Sequence, residues 1–161
     1  DEKNAAQQLI NKGCDLIAQH CDSTAPQLAA EEKGVKAIGY NTSTPDAAPT
    51  AYLTAPLFHW DVFYKNDIQS IIDGTWEPKS YWEGLSKGMV SLDDLTSNCV
   101  DGTQEAVDEA TAKIIDGSLV IFSGELKDNT GAVRVEAGQT MTDKELQAFD
   151  WFVEGVIGTI G

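Results

Sequence analysis

Basic residues are scarce in this chain, and long apolar runs, paired cysteines and nucleotide-cradling loops are missing from it. Eleven Lys and Arg stand against 26 Asp and Glu, for a formal charge of −15. Such a balance repels phosphate backbones and anionic lipid surfaces, which excludes nucleic acid as a partner. No stretch reaches the roughly 18 apolar residues that a helical membrane span requires. The opening Asp1-Glu2-Lys3-Asn4 is not a secretory signal, which would place positive charge ahead of an apolar run. Three cysteines, at positions 14, 21 and 99, show no C-x-x-C spacing, and an odd number cannot close a disulfide set. Cys14 lies inside an apolar run and is expected to be buried as a small hydrophobe. A Cys21–Cys99 bridge is open to an oxidising compartment, without local support. No G-x-S-x-G elbow, Walker loop or G-x-G-x-x-G fingerprint occurs. No enzymatic activity and no cofactor are expected.

What is present reads as an ordinary globular chain. It has 161 residues, 42% hydrophobic and 23% charged, enough for one domain with a substantial core. Ala5, Ala6, Leu9 and Ile10 recur at helical spacing before Gly13. Leu16-Ile17-Ala18 is a short strand that ends at a polar cluster over residues 19–24. Pro26 then sits just inside a helix, where its missing N–H costs nothing, and Gly34 ends that helix. Strands follow at Val35-Lys36-Ala37-Ile38 and Tyr52-Leu53-Thr54-Ala55, and a helix at about residues 60–72. This alternation predicts an α/β fold whose parallel sheet carries helices on both faces. In such sheets ligands bind at the carboxyl ends of the strands. Loops 19–24, 40–48 and 56–61 leave those ends, so the site is expected there.

Further on, residues 82–95 look extended and 103–116 form an amphipathic helix. Residues 119–135 read as two strands around the turn cluster Asp128-Asn129-Thr130-Gly131. Thr142-Asp143-Lys144-Glu145 is a capping-box pattern. It predicts a last helix with apolar positions at Leu146, Phe149, Phe152 and Val153.

Both histidines occur in one pattern, His20-Cys21-Asp22 and His59-Trp60-Asp61. Residues two apart in an extended segment point the same way. If the two loops faced each other, the pairs would suit a divalent transition metal and a metal-dependent hydrolase. H-x-D arises readily by chance, and no metal site is assigned. Ser23, His20 and Asp22 cannot make a hydrolytic relay, because its members must converge from separate segments. A binding site uses the same residues more economically. Trp60, with Phe58 or Phe63, offers a flat apolar face for a purine-like ring. Asp22 and Asp61 accept hydrogen bonds, while Gln19, His20 and Asn41 can donate or accept. The plainer readings are a packing role for Trp60 and a helix N-cap role for Asp61.

The chain also resembles a known family. The carrying residues are Gln19-His20-Cys21-Asp22-Ser23-Thr24-Ala25, Leu53-Thr54-Ala55-Pro56, Tyr64 and Asp73-Gly74-Thr75-Trp76. Tyr81-Trp82-Glu83-Gly84-Leu85, Phe122-Ser123-Gly124-Glu125-Leu126-Lys127-Asp128 and the run Ala148-Phe149-Asp150-Trp151-Phe152-Val153 follow in the family's order. Together they resemble the second half of basic membrane lipoproteins, the nucleoside-type substrate-binding proteins of ABC importers. The resemblance implies the second lobe of a type I periplasmic-binding-protein fold over residues 1–76 and a crossing segment over 77–100. Residues 101–161 would be C-terminal elements returning to a first lobe whose remainder, the family's N-terminal half, is absent.

It also implies a protein that works in the periplasm or at the cell surface, lipid-anchored through a missing N-terminal segment. Such a protein closes over a purine nucleoside or base and delivers it to an ABC permease. Gln19, His20, Asp22, Ser23, Asn41, Trp60, Asp61 and Lys87 would line the pocket. Ser86 stands where many relatives place a lysine, with Lys87 one place on. The loop 19–24 is closer to a subgroup that takes free bases, so nucleoside and base both stay open. A ligand-sensing regulatory domain of the same fold is the alternative function. Apolar surface left by an absent lobe would favour self-association.

Overall fold

A computed structural model describes residues 1–159. They form two compact units, the first spanning Asp1–Ile115 and the second beginning at Asp116. The first unit opens with helix α1 (Glu2–Asn11), strand β1 (Leu16–Ala18), helix α2 (Ala25–Lys33), and strands β2 (Lys36–Ile38) and β3 (Tyr52–Thr54). It continues with β4 (Pro56–Phe58), α3 (Trp60–Ile72), β5 (Val90–Leu92) and α4 (Thr103–Ile115).

Local chemistry sets these boundaries. Pro26 lies in the first turn of α2, and Gly34 closes that helix in the left-handed conformation at φ 69°, which costs glycine no steric penalty. Strands β1, β2 and β3 pair in that order as a parallel sheet, with Ile17 opposite Ala37 and Ala37 opposite Tyr52. Helices α1 and α2 pack against each other and onto β1, and α2 also packs onto β2. The core between them is built mainly from small side chains: Ala6, Ala29, Ala30, Ala37 and Ala55 are buried with Ile17 and Tyr52. Small residues let helix and sheet backbones approach closely, so volume changes there are felt at once.

Gly39 shows how close. A Cβ at this position would stand 2.9 Å from a ring carbon of Tyr52, 3.2 Å from Ala55 Cβ and 3.2 Å from the Gln27 amide nitrogen. Tyr52 and Gln27 are themselves fully buried. Gly39→Ala is therefore expected to cost about 1–3 kcal/mol through overpacking, measurable by denaturant unfolding of the full-length protein.

The far edge of β3 is not left bare. Strand β5 pairs antiparallel with β4, and the chain continues alongside β3. The Asp93 N–H donates to the Ala55 carbonyl at 2.8 Å and the Thr96 N–H to the Leu53 carbonyl at 3.0 Å. Covering an edge removes a template for unwanted strand pairing. Residues 56–58, expected as part of a loop, are thus strand, because a partner distant in sequence supplies their hydrogen bonds.

The same return segment carries Asp93, whose carboxylate accepts from the buried Tyr52 hydroxyl at 2.7 Å. Burial and that neighbouring carboxylate push the Tyr52 phenol up from 10.0 to about 12. The folded state therefore holds this proton more tightly than the unfolded chain does. Its stabilising contribution is whole below the ordinary value and drains away as pH rises toward about 12. Tyr52→Phe should cost about 1.5–3 kcal/mol at neutral pH, the worth of a hydrogen bond to a charged group. It should also flatten the alkaline limb of the stability profile, read as denaturation midpoint against pH.

The second unit is a hairpin of β6 (Ser123–Lys127) and β7 (Val133–Thr140) followed by the short helix α5 (Asp143–Gln147). At the turn, the buried Asp128 carboxylate accepts from the Thr130 hydroxyl at 2.6 Å, from the Thr130 and Ala132 N–H groups, and from Arg134 Nε at 2.8 Å. These donors, the Thr130 hydroxyl foremost, hold its carboxyl well below the usual range. The capping box is formed: the Thr142 hydroxyl accepts from the Glu145 N–H, and the Glu145 side chain accepts from the Thr142 N–H.

Three expectations are corrected. Cys14 is exposed rather than buried. The apolar run around Cys14 spends its burial on Ile17 alone, while Leu16 is 43% exposed. The last helix stops at Gln147, short of Phe149, Phe152 and Val153. Tertiary contacts outbid helical spacing there. Phe149 stacks on Trp151 at 4.4 Å and meets Phe122 at 5.3 Å, while the Phe152 carbonyl accepts from the Asn129 N–H. Hairpin strand β7 also runs on to Thr140, beyond the expected end at 135.

Candidate functional site

The first unit contains a cavity of about 510 Å³ at the end of the sheet where loop residues 19–24 and 40–41 and strand β4 come together. Each wall has a local cause. Gln19 donates from its amide nitrogen to the Cys21 carbonyl at 2.9 Å and the Ser23 carbonyl at 2.8 Å, which ties loop 19–24 into one shape. Asp22, on that loop, lines the cavity. The Gln19 amide oxygen is buried without a hydrogen-bond partner, so this side chain serves the loop through its nitrogen.

Asn41 lines the cavity from the second loop. It is the one non-glycine residue at positive φ among those described, at 68°. Asparagine tolerates this conformation better than most residues. Its N–H donates to the Pro56 carbonyl at 2.8 Å, and its carbonyl accepts from the Phe58 N–H at 3.4 Å. The backbone is therefore pinned on both sides where Asn41 lines the cavity.

Aromatic rings supply most of the remaining wall. Tyr40, Phe58, Trp60, Phe63, Tyr81 and Trp82 all line it. They pack in sequence: Tyr40 meets Phe58 edge-on at 5.8 Å, Phe58 meets Trp60 at 6.2 Å, and Phe63 meets Tyr81 at 4.8 Å. Such contacts orient Tyr40, Phe58, Trp60, Phe63 and Tyr81 before any ligand arrives. Trp60, the first residue of α3, keeps 51% of its surface exposed. It is therefore not a core residue of this unit. Glu83 adds a second carboxylate, and neither Lys nor Arg lines the cavity.

The remaining candidates lie elsewhere. The exposed His20 packs its ring edge-on against Tyr40 at 4.5 Å and does not line the cavity. The Ser23 hydroxyl hydrogen-bonds to Glu2. Asp61 is paired with Lys65 at 2.8 Å, and that lysine holds its carboxyl below the usual range. The N-cap of α3 is His59, so Asp61 sits inside the first turn instead of capping it. Lys87 lies exposed on the 3-10 turn Leu85–Lys87 and does not line the cavity. His59 Nε2 is 2.7 Å from Ser91 Oγ, and His59 lines a second hollow together with Asp93, Asp94 and several aliphatic side chains. The two H-x-D pairs do not converge, and no group of three His, Cys, Asp or Glu placed to hold a metal occurs among the described residues.

Sequence reasoning brought Asp22, Asn41 and Trp60 to this cavity and missed Tyr40, Tyr81, Trp82 and Glu83. A signal for the last three was present. Tyr81-Trp82-Glu83 is a dense aromatic and acidic cluster, but its segment has no periodicity to say which way it faces. Its place is set by β5, which follows it and pairs with β4.

Chemically, the cavity offers flat apolar surfaces, acceptors at Asp22 and Glu83, and an amide at Asn41. It has the size and composition of a small-molecule site, which typically spans roughly 300–1,000 Å³. No helix among the described residues is long and apolar enough to cross a membrane.

The pattern of the PnrA-like ABC transporter substrate-binding proteins matches residues 1–123. The chain is 34% identical over 155 residues to a purine-binding protein of Brucella abortus, covering 96% of this chain and 44% of that one. It is 31% identical over 158 residues to a putative ABC transporter glucose-binding protein of Haloferax volcanii, covering 98% of this chain and 38% of that one. The chain thus spans less than half the length of these relatives. In fold it is similar to an ABC transporter solute-binding protein from Aeropyrum pernix, at TM-score 0.61 and 17% identity over 91% of this chain and 48% of that one. It is also similar to a transcriptional activator of the comK gene from Bacillus halodurans, at TM-score 0.65 and 23% identity over 72% and 42%. The shared fold therefore serves more than one role. By sequence, the chain belongs to the PnrA-like family of ABC transporter substrate-binding proteins.

Proposed function

We propose that this chain is the ligand-gripping part of an extracytoplasmic solute-binding protein that captures a purine base or nucleoside and hands it to an ABC permease. The observation that carries the proposal is the cavity wall of six aromatic rings with two carboxylates, one amide and no cation. A purine offers both π faces for stacking and carries ring or exocyclic N–H groups at its edge. Trp60 and its neighbours take the faces, and Asp22, Glu83 and Asn41 take the edge. The purine-binding relative at 34% identity supports this ligand class.

Gln19 would act as a positioning residue, holding the loop that presents Asp22. His20 would brace Tyr40 through its edge-on ring contact. The whole protein would close its first lobe over the ligand, since a ligand favours the arrangement that contacts it on both sides. No covalent chemistry is performed on the ligand.

The relative named for glucose favours a second reading. A sugar also lays its C–H face on aromatic rings and donates hydroxyls to carboxylates. Tryptophan emission separates the two. Of the four tryptophans, Trp60 and Trp82 line the cavity. Titrating the full-length protein with adenosine should quench emission saturably, because a stacked purine contacts the indole π face. A saturable response to glucose, with none to adenine or adenosine, would replace purine by sugar.

A further inference from the structure

We propose that the cavity selects a cationic, ring-N-alkylated purine over its neutral counterpart and excludes phosphorylated ones. This rests on the purine reading and sharpens it. Its basis is the pairing of aromatic faces with carboxylates in a space that no Lys or Arg enters.

An aromatic face carries negative charge density, so a cation lying over it is attracted. The attraction is largest for tryptophan and grows when water is excluded. Here Trp60 and Trp82 line one cavity together with Tyr40 and Tyr81. Alkylating adenosine at N1, a ring nitrogen that carries no hydrogen, gives a cation at neutral pH and places positive charge on the ring that would stack there. Asp22 and Glu83 line the same cavity. Either one offsets the desolvation of that charge, which an apolar box alone could not do.

A phosphate meets the opposite situation. It would bring negative charge beside two carboxylates, with no cation on the wall to pair it. The chain's surplus of 26 acidic over 11 basic side chains adds long-range repulsion of the same sign. Asp61 and Lys65 do not alter the balance, because they are paired with each other off the cavity wall.

The test uses isomers, so that size and shape are held constant. The full-length protein is titrated calorimetrically with adenosine methylated on a ring nitrogen, which is cationic at neutral pH. It is titrated in parallel with the isomer methylated on the exocyclic amine, which is neutral, and with adenosine and adenosine monophosphate. The cationic isomer should bind at least about tenfold more tightly than the neutral one. Glu83→Gln should shrink that ratio, and adenosine monophosphate should bind more weakly than adenosine. Equal affinity for the two isomers, or a ratio unchanged in both Glu83→Gln and Asp22→Asn, would overturn the inference while adenosine binding kept the purine reading. No binding by adenine, adenosine or either isomer would overturn both.

Discussion

Trp60→Ala is expected to weaken purine binding by about 5- to 150-fold, the range that follows from roughly 1–3 kcal/mol for one base stacked on one aromatic side chain. The size of the effect follows from where the side chain stands. Trp60 lines the cavity, touches Phe58 at 6.2 Å and Tyr64 at 6.3 Å, and leaves half its surface uncovered. Two neighbouring rings hold it while half of its surface stays open. Truncation should therefore remove a binding surface without opening a hole in the alanine-rich core. The check is a pair of measurements on the same variant. Affinity should fall by titration, while the denaturation midpoint of the ligand-free protein should move little. A large loss of stability with unchanged affinity would make Trp60 a packing residue after all. Trp60→Phe should recover part of the affinity, since a smaller ring still stacks.

Asp22→Ala should weaken binding by about 10- to 150-fold, because hydrogen bonds to a charged group are worth roughly 1.5–3 kcal/mol. The loop that carries Asp22 is fixed by the two Gln19 amide bonds rather than by Asp22 itself. Removing the carboxylate should therefore leave the loop in place and delete only the acceptor. Asp22→Asn keeps the shape and offers both a donor and an acceptor. Its loss should be smaller for a ligand edge that can turn to meet it, and the comparison separates charge from shape. If the alanine variant bound adenine and adenosine as tightly as the native protein does, Asp22 would have no part in recognition.

Much of the first unit could be read from the sequence, because its cues are local. Pro26 and Gly34 bracket α2, the short apolar strands alternate with amphipathic helices, and α3 spans Trp60–Ile72. The parallel order of β1, β2 and β3 then follows from the helix between β1 and β2 and the long connection before β3. Parallel order puts the ends of the first two strands on one side, and that brought Asp22 and Asn41 to one cavity.

What could not be read depends on partners far away in sequence. Strand β4 exists because Val90–Leu92 pairs with it, and nothing within residues 56–58 announces that. The same pairing orders the segment after residue 80 and carries Tyr81, Trp82 and Glu83 to the cavity. Asp61 looked like a cap because acidic residues favour helix starts, but Lys65 four residues on offers it an i,i+4 partner. In the second unit, helical spacing lost at Phe149 to ring contacts with Phe122 and Trp151, and at Phe152 to a backbone hydrogen bond from Asn129. Periodicity reports which residues want burial, not which partner will bury them.

The central claim is that the cavity between loops 19–24 and 40–41 and the start of α3 takes a purine. A calorimetric titration of the full-length, ligand-free protein with adenine, adenosine, guanosine, inosine and glucose tests it most directly. The account predicts saturable one-to-one binding of at least one purine, with glucose giving no heat. Binding of glucose alone, or no heat from any of the four purines on protein shown to be folded, would contradict it.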